Sequence, residues 1–138
     1  MLRTLWHEIP PERQRLVIAM AMLACVVFIL DHFGNASGLY HADYIGYDKI
    51  VHFTAGAFSG TFGLWLFQQS GAINERLHAL SVAFLLAFWV GLGWEVYETL
   101  CNQPDTGTIL YWGDTMLDMV ADTLGGLSVG WILWRGID

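Results

Sequence analysis

Hydrophobic positions dominate four stretches, each close to the roughly 20 residues that a helix needs to cross a hydrocarbon core about 30 Å thick. They are 15–33 (RLVIAMAMLACVVFILDHF), 49–69 (KIVHFTAGAFSGTFGLWLFQQ), 78–100 (HALSVAFLLAFWVGLGWEVYETL) and 114–134 (DTMLDMVADTLGGLSVGWILW). A helix of a soluble bundle carries a polar stripe along its whole length. The first stretch has almost none, and in the other three the polar residues gather toward one end. The pattern predicts an all-α polytopic membrane protein, a single domain over 1–138 with four transmembrane helices. Upstream, Leu2, Leu5, Trp6 and Ile9 recur at helical spacing and predict a short N-terminal helix lying in the membrane interface, ended by Pro10-Pro11. A basic start followed by an apolar run also fits a signal peptide; the expectation here is an anchor that stays.

Basic residues set the direction. Arg3, Arg13, Arg15, Arg76 and Arg135 all fall on one side of a four-span path, and only Lys49 falls on the other. The positive-inside rule then places both termini in the cytoplasm, the connections 34–48 and 101–113 outside, and 70–77 inside. Trp89, Trp94, Tyr97, Tyr111 and Trp112 fit an outer aromatic belt, and Trp65, Trp131 and Trp134 an inner one. Gly56/Gly60 and Gly126/Gly130 form GxxxG pairs, which let helix backbones approach closely in lipid.

The same topology brings the polar ends together. Asp48 and His52 open the second span, Glu95 and Glu98 close the third, and Asp114, Asp118 and Asp122 open the fourth. All lie in the outer half. A helix rises about 1.5 Å per residue, so Asp122 is roughly 12 Å deeper than Asp114. A charge at mid-membrane costs about 2.5–3.5 kcal/mol on insertion scales, so these acids face the bundle interior. There they repel one another unless protons or a cation intervene. Lys49 and His52 are too few to balance six acids, and a bound divalent ion is the economical answer. Carboxylates suit Mg, and a His ligand shifts the balance toward Mn, Fe or Zn. The metal candidates are Asp48, His52, Glu95, Glu98, Asp114, Asp118 and Asp122. The rival is a set of protonated acids sharing hydrogen bonds between helices. Snorkelling into headgroups accounts for Asp48, Asp114 and Glu98, but not for the deeper, short-chained Asp118 and Asp122. Asp31 ends the first span on the same side and could join the cluster. His41, Asp43, Tyr44 and Tyr47 could cover it.

Composition narrows the partners. Of 138 residues, 55% are hydrophobic and only 14% charged, with a net charge of −7. No basic run exists, which argues against nucleic acid. Membrane lipid is the expected partner, and a homo-oligomer is compatible with the sequence. Cys25 and Cys101 should sit at different depths, which argues against a disulfide, and no CxxC spacing suggests a thiolate metal site.

The motifs YDKIVHFTAG (47–56), WEVYE (94–98) and DTMLDMVADTLGG (114–126) resemble the YjdF-like bacterial inner-membrane family and, more distantly, VanZ-like proteins. The likeness covers three of the four spans. It implies a small multi-span protein of the bacterial inner membrane and supports Asp48, His52, Glu95, Glu98, Asp114, Asp118 and Asp122 as site positions, without supplying a reaction. The leading expectation is a metal-dependent hydrolase or phosphotransferase acting on a lipid phosphate or ester, with His52 or Glu98 as general base. The DxxxDxxxD run is similar to the last part of a lipid phosphotransferase signature whose first part is missing here. The alternative is a non-enzymatic protein that binds a cation or protons, or an accessory subunit. Because the inner halves of the spans hold almost no ionisable groups, conduction through the bundle is disfavoured.

Overall fold

The computed structural model describes residues 9–40, 46–68, 73, 75–102 and 109–134. Four helices run up and down through them: α1 Pro11–Ser37, α2 Tyr47–Gln68, α3 Arg76–Asn102 and α4 Ile109–Leu133. Each is long and apolar enough to cross a membrane, and the described residues include no strand. The all-α polytopic reading is therefore correct. The interfacial helix proposed upstream lies outside the described residues apart from Ile9, as do His41, Asp43 and Tyr44.

The limits of the helices differ from the sequence reading in instructive ways. Pro11 starts α1 four residues before Arg15, because proline at a first helical position gives up only an amide that has no partner there anyway. Gly38 stops it with φ 71°, a left-handed conformation that side chains disfavour. There the Leu39 amide donates to the Gly34 carbonyl at 3.0 Å, closing the last turn. At the other end of the chain α4 begins at Ile109, not at Asp114. The apolar run Ile109–Trp112 continues the helical path, so more than one turn precedes the first acid. The expected connection 101–113 is correspondingly shorter. Thr99 and Tyr111 share a hydrogen bond at 2.5 Å, tying the end of α3 to this added turn.

Packing is inverted relative to a water-soluble bundle. Among the described residues the buried apolar ones are mostly small, with Ala57, Ala79, Ala83 and Ala87 beside only Leu16 and Leu64. Phe28, Ile29, Trp89, Leu100 and Ile132 point outward. In lipid, burying a leucine gains little over leaving it against acyl chains, so helices associate where backbones can touch. α2, α3 and α4 all pack against one another, and α1 lies along α2. Tyr47 at the head of α2 donates to the Leu30 carbonyl of α1. Both GxxxG pairs are used: Gly60 faces the Cα of Gly126, and Gly130 faces Ala79 and Ala83. The third partner is Ala79, Ala83, Ala87 and Gly91, a stripe at every fourth position of α3 that complements the glycines of α4.

At the end opposite the acids, Leu16, Leu64, Ala79 and Ala83 form a cluster that Trp65, Ile73, Leu133 and Trp134 cover. The guanidinium of Arg13 lies 5.1 Å from the Trp65 ring centre, and that of Arg76 sits over Trp131. These are cation–π contacts, so the indole rings at this end carry the basic residues on their faces.

A methyl group at Gly56 would land on the Asp122 backbone carbonyl, which cannot swing aside. Gly56→Ala should therefore cost about 1–3 kcal/mol. Gly93 has open space at its Cβ position. Gly93→Ala should be neutral or gain up to about 1 kcal/mol from helix propensity. Thermal unfolding of both variants in detergent checks the contrast.

Candidate metal centre

Three helices supply the site, each with a side chain that its own sequence places at the same end of the bundle. On α2, Asp48 and His52 are one turn apart. On α4, Asp114, Asp118 and Asp122 descend one face. On α3, Glu95 lies one turn beyond Gly91. His52, Glu95, Asp118 and Asp122 are all buried.

Glycines clear the space for Asp122. Its carboxylate overlies Gly91 on α3, where any Cβ would collide with it, and its backbone abuts Gly56 on α2. So held, Asp122 Oδ2 meets His52 Nδ1 at 3.0 Å. That bond fixes the imidazole plane and aims the other ring nitrogen at a ring of oxygens. Asp48 Oδ1 and Asp118 Oδ1 each lie 3.8 Å from Nε2, and Glu95 Oε1 lies 3.9 Å from it. All three distances exceed hydrogen-bonding range. Glu95 Oε1 is buried with no hydrogen-bond partner, although the same carboxylate accepts from Thr115. One ligand atom each from Asp48, His52 and Asp118 falls within a 4.8 Å group, a spacing that can hold a metal ion.

Lys49 occupies the outer side of this group. Its ammonium is 2.5 Å from Asp114 Oδ1, 2.6 Å from Asp118 Oδ1 and 3.4 Å from Asp48 Oδ2. The sequence reading dismissed it as too little charge for six acids. In the structure one cation reaches three of them, because its long stem lets the head sit between α2 and α4. The available signal was that Lys49 is the chain's single lysine and the one basic residue expected on the acid side.

The seven expected positions therefore fall into groups. Asp48, His52 and Asp118 form one close group, and Glu95 flanks it 3.9 Å from His52 Nε2. Asp122 serves the opposite ring nitrogen. Asp114, with 61% of its side chain exposed, joins only through Lys49. Glu98 is half-buried one turn further out on α3, where it accepts from Trp94. Asp31 stays apart from the cluster on α1, accepting from Asn35 and Tyr40. Gly91 and Thr115 support the site and were missed. A glycine four residues before a glutamate carries no signal until a neighbouring helix is placed against it.

These features define a multi-span membrane protein with a buried cluster of acids and a histidine at one end of its bundle. The chain belongs to the family described as "Predicted membrane protein (DUF2238)", which it matches over residues 8–138. The YjdF-like resemblance read from the motifs is thereby shown. The chain is also 33% identical over 133 residues to an "Uncharacterized protein" of Thermotoga maritima, covering 94% of this chain and 66% of the relative. It thus spans just under two-thirds of that relative's length. No solved structure matches.

Removing the Asp122 carboxylate would leave His52 Nδ1 buried without its partner. Asp122→Ala should lower stability by about 1–3 kcal/mol or more. Glu75→Gln, exposed before α3, should stay within about 0.5 kcal/mol of wild type. Denaturant titration in a mild detergent compares the two.

Proposed function

We propose that this protein binds a divalent cation through Asp48, His52, Glu95 and Asp118, and that the loaded centre acts on a phosphate or ester of a membrane lipid. The observation that carries the reading is the arrangement around His52. One ring nitrogen is fixed by a buried carboxylate, while the other faces three acidic oxygens too distant to hydrogen-bond. Metal-ligating histidines are typically oriented in this way by a carboxylate on the far nitrogen. The unpartnered Glu95 Oε1 supports the same conclusion. Three carboxylates and one imidazole suit Mn, Fe or Zn, with Mg next.

Such an ion, when bound, would polarise a phosphoryl or ester oxygen or lower the pKa of a bound water. The chain's own residues divide the remaining work. Asp122 holds the imidazole. His52 is committed at both nitrogens, so the general-base role falls to Glu98, which is half-buried and nearer the outer surface. Asp114 stands at the exposed rim. The accessory-protein reading draws on one observation, the contact of Lys49 with three aspartates, which neutralises part of the cluster without metal. The setting we assign is the bacterial inner membrane with both termini cytoplasmic, since Arg13, Arg15 and Arg76 lie at the bundle end opposite Lys49.

Elemental analysis of the purified protein should find a divalent metal that Asp118→Asn and His52→Ala lose and Glu75→Gln keeps. Asp122→Asn should weaken its binding about 10–100-fold. Equal metal content in wild type and Asp118→Asn would remove Asp118 from the ligand set. No binding of Mn, Zn, Fe or Mg at all would favour the accessory reading. With metal present, release of phosphate or fatty acid from phospholipid micelles should fall to background in Glu98→Gln and on adding chelator. Reporter fusions test the orientation separately: a C-terminal fusion that is active only in the periplasm would turn the site around.

A further inference from the structure

Lys49 competes for the same atoms as the proposed ion. Its ammonium is 2.6 Å from Asp118 Oδ1, the oxygen that also faces His52 Nε2 at 3.8 Å. Asp48 is shared in the same way, with Oδ2 toward Lys49 and Oδ1 toward His52. A divalent ion bound to Asp118 Oδ1 at about 2.0–2.2 Å would stand roughly 4 Å from the ammonium. Like charges at that distance repel strongly where water is scarce. Only 17% of the Lys49 side chain is exposed, so solvent does little to screen them. The two cations exclude one another at Asp118.

We propose that Lys49 is a built-in competitor for the cation, holding Asp118 and Asp48 while the centre is empty and withdrawing to Asp114 as an ion enters. The proposal rests on the metal reading above. Asp114 supplies the place to withdraw to: it already touches Lys49 at 2.5 Å, lies one turn outward of Asp118 and is largely exposed. Displacement keeps one ion pair intact, so the lysine's charge is never left alone in the bilayer. It also sets a threshold. A monovalent ion gains no more from these carboxylates than the ammonium already there, and only a divalent ion gains enough to displace it. Lys49 is thereby an affinity- and specificity-determining residue without being a ligand.

The test compares wild type, Lys49→Met and Lys49→Arg, each stripped with chelator in detergent and titrated with Mn²⁺ and with Zn²⁺ by calorimetry. Lys49→Met should bind at least ten-fold more tightly than wild type. Lys49→Arg, which keeps the charge in a more firmly held fork, should bind several-fold more weakly. Binding by Lys49→Met alone, with none by wild type, would support the same competition in a stronger form. Equal or weaker binding by Lys49→Met overturns the proposal and leaves the metal reading standing; no binding by any of the three overturns both. A direct readout of displacement stands beside the affinities and serves if Lys49→Met does not fold. Lys49 is the chain's only lysine. Its acylation by an amine-reactive reagent, followed by mass spectrometry, should rise several-fold when Mn²⁺ is added to wild type. Acylation that is unchanged or falls overturns the withdrawal.

Discussion

A charge placed in hydrocarbon must be answered within a few ångströms, because no solvent is there to answer it. That constraint organises the acidic end of this protein's bundle. Asp118 and Asp122 lie one and two turns below Asp114 on a helix that exposes Met116, Leu117, Val120 and Leu124. Each is met by a group from α2: Lys49 reaches Asp118 and His52 reaches Asp122. The answer requires α2 and α4 to lie nearly in contact, and glycines at 56, 60, 125 and 126 make that approach. Polar chemistry and backbone packing are therefore one design problem. Bulk anywhere along the seam would separate the helices and strand the charges.

Much of this was legible in the chain itself. Spans of the right length, the acids at matching depths and the GxxxG pairs are periodic or local signals, and they survive without any knowledge of neighbours. What was not legible depends on which helix stands opposite. Asp122 and Asp118 look equivalent in sequence, one turn apart on one face. In the structure one orients the imidazole from behind and the other faces its front. Lys49 looks like a minor charge by count and turns out to sit at the centre of three contacts. The start of α4 was hidden for a related reason: in sequence the first acid reads as a boundary, whereas the apolar turn from Ile109 to Trp112 belongs to the helix.

The two ends of the bundle solve different problems. At the acidic end, buried polar groups meet and leave an oxygen of Glu95 without a hydrogen bond. At the opposite end, leucine, alanine and tryptophan close the helices, and the arginines rest on indole faces. The tight apolar packing holds the same helices that carry the polar cluster, so the cluster's geometry is supported from the far end of the bundle.

Gly91 shows how directly that geometry is connected to the rest of the bundle. It offers no side chain between α3 and the Asp122 carboxylate, and Asp122 in turn holds the imidazole of His52. Sliding of α3 against α4 would press on the carboxylate that places the imidazole. Helices tilt to match bilayers of different thickness. A change of tilt between α3 and α4 would therefore bear on the ring of a histidine, which links the site to the thickness of the surrounding lipid.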